Sequence, residues 1–261
     1  MEGREIITML EELAPPSYAF EWDNPGLVCG RKTKEVKKIM VALDATNTVI
    51  ERAVAEQVDL IVTHHPMIFS GIKKVNDDSF LGEKILTLAE HGIGCFAMHT
   101  NYDIAGGMAE ICGEKMQLLQ PAPLEETHEI EGRPVGIGQA GYLPKTMTVR
   151  ECACQVKAAF GLSDVLVFGD LDREVSYVAI SPGSGRSILK EAKKKGVDVL
   201  ITGDIGHHEG LDSMDMGFAV IEAGHYGLEQ VFIQHVTDYL MEKTEGVEVI
   251  PCGEGVPYQV I

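Results

Sequence analysis

A repeated stretch of sequence constrains this chain more than any other feature. Residues 53–65 read AVAEQVDLIVTHH and residues 192–204 read AKKKGVDVLITGD. The two stretches share the pattern A-x(4)-V-D-[LV]-[LI]-[IV]-T, and the displacement from Asp59 to Asp198 is 139 residues. Similarity at a fixed displacement is typical of duplicated structural units. We therefore expect two related halves, each containing a buried strand that ends at this motif.

A histidine and an acid follow each copy of the repeat with three residues between them. His99 and Asp103 follow the first copy, and His225 and Glu229 follow the second. Imidazole and carboxylate groups are common metal ligands, and here they come after apolar strands in both copies. The pattern predicts two half-sites that face each other across a pseudo-twofold cleft.

The composition is that of a folded globular protein with a strong acidic balance. Of the 261 residues, 45% are hydrophobic and 24% are charged, and 40 acids against 22 Lys and Arg give a net charge of -18. Such a charge repels phosphate backbones and anionic lipid but attracts divalent cations. Nucleic acid and membranes are therefore not expected as partners.

The six cysteines are scattered and include no C-x-x-C pair, so neither a thiolate zinc site nor a disulfide framework is indicated. The first sixteen residues contain too many acids for a signal or transit peptide, and no apolar run has the length of a membrane span. We expect a cytoplasmic protein.

Strand and helix patterns alternate along most of the chain. A helical apolar stripe ends at Pro15-Pro16, and apolar runs such as KKIMVAL (37–43) and VDLIVT (58–63) predict buried strands separated by helices. This alternation indicates an α/β class, a layered αβα fold of two pseudo-symmetric, interlocked halves with a shared central cleft. We place the first half at 1–120, a connector at 121–146 and the second half at 147–261.

His64 and His65 come directly after a predicted strand, where open α/β sheets have their ligand crevices. A histidine pair alone at this place is more often a polar loop than a metal site. His225 and Glu229 lie at i and i+4 and share one face if a helix begins at Gly224. Imidazole with carboxylate, including a possible bridge by Asp103, suits Zn, Fe, Mn, Ni or Co rather than Ca or Mg.

Several motifs together resemble a known family. These are THHPMIFSGIKKV, HTNYDIAGG, SPGSG, TGD and AGHYGLE, with WDNPGL near the start. They are similar in type and order to the NGG-interacting-factor-three-like family, also called GTP cyclohydrolase 1 type 2. The resemblance covers almost the whole chain, and the brief segment between the halves is like that of the short form of the family.

The resemblance implies a dinuclear site and an oligomer. The metal ligands that it implies fall on His64, His65, Asp103, His225 and Glu229, which would hold two divalent transition-metal ions per chain. It also implies a homo-oligomer, a hexamer built as a trimer of dimers.

Two further residues are candidates for catalysis. The repeat places Asp204 opposite His65, so Asp204 is expected to shuttle a proton or hold a water; a turn-forming Asp is the alternative. His99 is not among the ligands that the resemblance implies, and we expect it to act beside them rather than to ligate.

Two other features are open to two interpretations. The PGSG sequence at 182–185 is expected to be a tight turn between strand and helix, with anion binding through its backbone N–H groups as the alternative. Trp22 either lines a pocket rim or fills an edge of the core.

The leading functional hypothesis is a dinuclear-metal-dependent hydrolase of a small cyclic or nucleotide substrate, with GTP ring opening as the activity that the resemblance implies. A small molecule is then the substrate partner. The alternative is a non-catalytic protein that binds or delivers metal, or a regulatory scaffold.

Overall fold

The structure, a computed structural model, describes residues 1–261. The helices are α1 (Gly3–Leu13), α2 (Asn47–Ala55), α3 (Phe80–Glu90), α4 (Thr100–Ala105), α5 (Met108–Lys115), α6 (Val149–Phe160), α7 (Leu189–Lys195), α8 (His207–Met216), α9 (His225–Glu229) and α10 (Val231–Lys243). The strands are β1 (Gly26–Cys29), β2 (Lys38–Ala42), β3 (Leu60–Thr63), β4 (Gly94–Ala97), β5 (Leu119–Ile130), β6 (Arg133–Thr148), β7 (Leu166–Phe168), β8 (Glu174–Ser184), β9 (Val199–Asp204), β10 (Ala219–Glu222) and β11 (Glu248–Cys252).

The chain divides into two compact units, each with its own sheet. Unit 1 comprises Met1–Gly106 and Phe232–Glu254, and unit 2 comprises Gly107–Val231 and Gly255–Ile261. Each unit thus takes residues from two separate stretches of the chain. No helix in either unit has both the length and the apolar character needed to cross a bilayer.

The sheet of unit 1 has the order β1-β4-β3-β2-β11. Strands β4, β3, β2 and β11 are parallel, and only β1 runs antiparallel at its edge. Met40 of β2 packs in one cluster with Val49 of α2 and Leu88 of α3. Ile39 and Val41 are fully buried too, and their side chains point to the opposite face because successive strand residues alternate. The parallel strands are therefore covered on both faces, as the continuous apolar runs predicted.

The sheet of unit 2 has the order β5-β6-β8-β9-β10-β7, with β8, β9 and β10 parallel. Leu200 of β9 and Val220 of β10 share a core cluster with Leu189 of α7. Thr148 caps α6 by accepting a hydrogen bond from the Glu151 N–H, and the Glu151 side chain accepts one from the Thr148 N–H in return. The α/β layering predicted from the sequence is confirmed in each unit.

The sequence repeat is also a repeat of backbone hydrogen bonds. The Asp59 carboxylate accepts two successive backbone N–H groups at the start of β2, at 2.8 and 3.1 Å. The Asp198 carboxylate accepts two successive N–H groups of β8, at 2.9 and 3.0 Å. The carbonyl of each aspartate also accepts from the first residue of the next strand in its sheet, Gly94 or Ala219. Each aspartate of the V-D pairs thus holds the backbone of two neighbouring strands: the start of β2 and of β4 in unit 1, and the third and fourth residues of β8 and the start of β10 in unit 2.

The chain between 121 and 146, which we expected to connect two halves, forms most of the hairpin β5–β6 in the sheet of unit 2. The boundaries 1–120 and 147–261 describe duplicated halves, and they stay a prediction. The PGSG sequence was expected to be the turn at 182–185, but its first three residues belong to β8. Ser184 is still paired with Asp204 of β9, so the turn follows residue 184 and α7 begins at Leu189.

Candidate metal centre

Three histidines meet at the carboxyl edge of the sheet in unit 1. His64 and His65 follow β3 directly, and His99 follows the neighbouring parallel strand β4 by one residue. Because parallel strands end at the same edge of a sheet, these side chains come together there. Their candidate ligand atoms lie within 4.8 Å of one another. The structure therefore brings His99 into the same cluster as the two histidines that the sequence predicted as ligands.

Each of the three imidazole rings is held by a hydrogen bond at Nδ1. The acceptors are Met98 O for His64 (2.8 Å), Asp44 Oδ1 for His65 (2.9 Å) and Asp23 Oδ1 for His99 (2.7 Å). A carbonyl or a carboxylate can only accept, so Nδ1 donates and the lone pair of each neutral ring lies on Nε2. Rings held in this way are typical of metal-binding histidines.

Asp23 is the most constrained of these acceptors. Its side chain is completely buried, and its second oxygen accepts from the N–H and the hydroxyl of Thr100 at 3.0 and 2.5 Å. Burial alone raises the pKa of Asp23, but the hydrogen bonds from His99 and Thr100 outweigh it and lower the pKa to about 2. Asp23 is therefore ionised near neutral pH, which keeps the proton of His99 on Nδ1.

Aromatic side chains pack against His64 in the interior of unit 1. His64 is fully buried, and the rings of Phe232 and Tyr102 pack against it at centroid distances of 5.3 and 6.1 Å. Tyr102 Oη lies 2.6 Å from His235 Nδ1. Burial lowers the pKa of His235, with Asp238 acting in the opposite direction, so this ring is neutral near pH 7. His64 thus has little freedom to move away from the cluster.

Asp103 adds a carboxylate to unit 1. It lies in the first turn of α4, which begins directly after His99. Its Oδ1 is 3.6 Å from His64 Nε2, and a quarter of its side chain is exposed. Unit 1 therefore presents three imidazoles and one carboxylate at one edge of its sheet.

Unit 2 carries a second, smaller group of candidate ligands. His225 and Glu229 are the first and last residues of the single-turn helix α9, so the expected i, i+4 relation is confirmed. His225 Nε2 lies 3.2 Å from Glu229 Oε2, and Nδ1 of the same ring is hydrogen-bonded to Asp204 at the end of β9. Glu229 is buried, with 3% exposure. The His225 ring thus lies between two carboxylates.

Two glycines allow the backbone to approach this group closely. A Cβ on Gly183, whose φ is +76°, would lie 2.8 Å from Glu229 Oε1. A Cβ on Gly203 would lie 2.4 Å from the carbonyl oxygen of Gly183 and 3.0 Å from the Cα of His225. The SPGSG and TGD motifs therefore pack tightly around His225 and Glu229. The Gly185 N–H donates to the Asp204 carbonyl at 2.9 Å, so it is not available to an anion.

The sequence profile of the Duf34/NIF3 (NGG1p interacting factor 3) family matches residues 1–253. The chain belongs to this family. A Clostridium perfringens protein named GTP cyclohydrolase 1 type 2 homolog is 33% identical over 269 positions, which cover 100% of both chains. A Clostridium acetobutylicum protein of the same name is 34% identical over 230 positions, covering 88% of this chain and 85% of its own.

The structural comparison agrees with the family assignment. The crystal structure of a Bacillus cereus protein related to NIF3 superposes on this chain with a TM-score of 0.94 and 24% identity, covering 100% of this chain and 99% of the other. At that identity the likeness shows the fold alone. The family resemblance stated from the motifs and the fold class are both confirmed.

In this NIF3-family chain the five predicted ligands fall into one group per unit. His64, His65 and Asp103 lie in unit 1, and His225 and Glu229 lie in unit 2. The sequence did not indicate the role of Asp44, which supports His65, although Asp44 comes directly after the predicted strand KKIMVAL. It also did not indicate the contact between Asp23 and His99, residues that are 76 positions apart. The WDN motif was the only sign of this contact in the sequence.

Proposed function

We propose that this NIF3-family chain is a metal-dependent hydrolase of a small cyclic or nucleotide substrate, with ring opening of GTP as the reaction to test first. The observation that carries the proposal is the cluster of His64, His65 and His99, whose rings are all held at Nδ1 by acceptors. The names of the two clostridial relatives support the choice of GTP.

The donor set fits divalent transition metals. Imidazole nitrogen together with carboxylate oxygen suits Zn, Fe, Mn, Ni or Co. We propose His64, His65, Asp103, His225 and Glu229 as ligands of two such ions, since five ligands are too many for one tetrahedral ion with an open position. His99 is a sixth candidate, because its ligand atom lies within 4.8 Å of those of His64 and His65.

Divalent ions of this kind supply Lewis acidity, which activates water and polarises an oxygen or ring carbon of a substrate. The side chains around them have separate tasks in the proposed mechanism. Asp23 fixes the orientation and tautomer of His99. Asp204 accepts a hydrogen bond from the Nδ1–H of His225. Half of the Asp204 side chain is exposed. We assign to Asp204 the movement of a proton between the site and solvent, and to His99 a role beside the reacting group.

The test combines metal analysis with a turnover assay. Full-length protein purified without chelator and supplemented with each metal should contain about two ions per chain and should open the GTP ring. His65→Ala should lose metal and turnover, whereas His208→Ala should keep both, because His208 is an exposed residue of α8. A metal content near zero after supplementation would reject the centre.

Glu229→Ala tests whether Glu229 serves one ion or two. Loss of more than one ion per chain would mean that Glu229 is shared between ions, and loss of one would make it a terminal ligand. Tight metal binding by the wild-type protein without turnover on GTP, other nucleotides or cyclic amides would favour the alternative of metal delivery or a scaffold.

A homohexamer and a cytoplasmic location stay predictions. A chain with a net charge of -18 must associate through apolar surface, so an assembly should survive high salt. Light scattering at low and high ionic strength checks this expectation. A monomer under both conditions would contradict it.

A further inference from the structure

An aromatic surface borders the histidine cluster of unit 1. We call it the aromatic rim, and it consists of Phe20, Trp22 and Phe69. Trp22 is 58% exposed and Phe69 is 53% exposed. Phe20 stacks on the Trp22 ring with centroids 5.6 Å apart and planes at 26°, and Phe69 contacts the same ring at 5.8 Å. Trp22 therefore does not fill an edge of the core.

The rim is in contact with a histidine of the cluster. The His99 ring lies 6.1 Å from Trp22 and 6.3 Å from Phe69, edge-on in both cases. A ring bound on this rim would therefore lie next to the histidines that present their Nε2 atoms to a metal. The rim has no other assigned part in the proposed mechanism.

The rim is also fixed in position. Its two loops are joined by a hydrogen bond from Asn24 Nδ2 to the Ile68 carbonyl, at 2.6 Å. Asp23, the neighbour of Trp22, is buried and accepts hydrogen bonds from His99 and Thr100. The Phe20 N–H donates to the Thr100 hydroxyl at 3.1 Å. The aromatic side chains thus stand on loops anchored to the histidine cluster itself.

We propose that Trp22 and Phe69 bind a planar heteroaromatic ring of the substrate beside the histidine cluster. Exposed aromatic faces in fixed positions favour a flat, polarisable partner, and a nucleobase stacks on them whatever its hydrogen-bonding pattern. The reaction at that ring rests on the proposed function, but the binding does not. The rim recognises the base part of a nucleotide, and its phosphates have no role in this contact.

The experiment uses the fact that Trp22 is the single tryptophan of the chain. Its fluorescence reports on the rim alone. The full-length protein, with and without added zinc, is titrated with guanosine, which has the ring but no phosphate. A parallel titration uses inorganic tripolyphosphate, which has the charge but no ring. Guanosine should quench the emission in a saturable manner, and tripolyphosphate should not change it.

A matched pair of variants locates the binding surface. Phe69→Leu keeps the tryptophan and should weaken guanosine binding about tenfold, as expected for loss of part of a stacking platform. Phe80→Leu removes a ring that is 77% exposed in the same unit but lies outside the rim, and its binding should equal that of the wild type. Trp22→Leu has no tryptophan emission, so its guanosine binding is measured by calorimetry. The affinity should fall at least as much as in Phe69→Leu.

Two results would overturn the proposal. One is the absence of saturable quenching by guanosine, and the other is equal affinity in Phe69→Leu and wild type. If Trp22→Leu lowers the mass in light scattering while guanosine never binds, the rim is a contact between copies of the chain and the proposal fails. Guanosine binding without turnover would refute the hydrolase and leave the rim proposal standing. Metal binding and turnover without guanosine binding at the rim would refute the rim proposal and leave the hydrolase proposal standing.

Discussion

The two groups of candidate ligands differ in chemistry although the strands that carry them are built alike. Unit 1 presents the three imidazoles of His64, His65 and His99. Unit 2 presents one imidazole, that of His225, held between two carboxylates. At the ends of the repeated strands, His64-His65 after β3 correspond to Gly203-Asp204 at the end of β9. The repeated V-D motif thus lies at the start of a strand in each unit, and the residues at the end of that strand determine what it can bind.

The strand registers show that His99 and His225 do not occupy equivalent positions in the two copies of the repeat. Leu60 pairs with Gly94 in unit 1, and the corresponding Val199 pairs with Ala219 in unit 2. Counting forward from these strands, His99 corresponds to Gly224, and His225 corresponds to the residue after His99. The similar spacing of His99 to Asp103 and of His225 to Glu229 is therefore offset by one position. Gly224, with φ +78°, occupies the position of His99, and the histidine of unit 2 comes one residue later.

The largest expected effect is at the glycine that replaces His64 in the repeat. Gly203→Ala should destabilise the protein by roughly 3 kcal/mol, because the new methyl group meets backbone atoms of Gly183 and His225 that cannot give way easily. It should also weaken metal binding through His225. Denaturant unfolding and metal titration measure the two effects. Gly71→Ala is the control, since nothing lies within 4 Å of a Cβ there, and it should be neutral.

If Gly203→Ala unfolds like the wild type, the close packing of the TGD and SPGSG motifs is not needed for stability. The difference between the two units would then lie only in their ligands.

A second comparison concerns the carboxylates behind the rings. Asp23→Asn in unit 1 and Asp204→Asn in unit 2 each alter the acceptor that holds an imidazole at Nδ1. Each should lower metal affinity by about 10- to 100-fold, the usual effect of removing such a partner. Competition with a chelator of known affinity measures the change.

The Asp23 variant also decides the role of His99. If metal affinity falls only in Asp204→Asn, His99 does not ligate, as the family resemblance implied. A similar fall in both variants would make His99 a ligand. Asp172→Asn serves as the control, because its side chain is 82% exposed and remote in sequence from both groups.

Local patterns in the sequence were sufficient for much of the fold. The helix α1 and the buried strands β2, β3 and β9 lie close to where their apolar patterns predicted them. Each of them has an apolar periodicity that depends only on its own residues. The candidate ligands could be placed after strands for the same reason, and their binding of metal stays a prediction.

Long-range pairings were not predictable in this way. Strand β11 joins β2 from the far end of the chain, with Glu248 opposite Lys38. The contacts of Asp23 with His99 and of Trp22 with Phe69 depend on how distant loops meet. The spacing of residues along the chain does not show which distant loops come into contact.

The smallest expected effect is at the aspartates that the repeat shares. Asp59→Asn should destabilise the protein by roughly 1 to 2 kcal/mol near pH 7, because a charged acceptor of two backbone N–H groups becomes a neutral one. Burial raises the pKa of Asp59, but hydrogen bonds from Lys34 and the backbone outweigh it and lower the pKa. The charge therefore stabilises the fold above the unfolded-state pKa of about 3.9, and this contribution is lost as the pH falls through the lower folded-state value.

Unfolding of the wild type and Asp59→Asn at several pH values checks this expectation. The gap between their stabilities should be constant from pH 7 to about 5 and should narrow below about 4. Asp198→Asn is the matched variant in unit 2, with Arg173 at 3.5 Å where Asp59 has Lys34 at 2.7 Å. Because an ion pair is screened by salt, added salt should reduce the Asp59 effect more than the Asp198 effect. A gap at Asp59 that persists unchanged at pH 3 would show that the shape of the side chain, and not its charge, holds the two strands of the repeat.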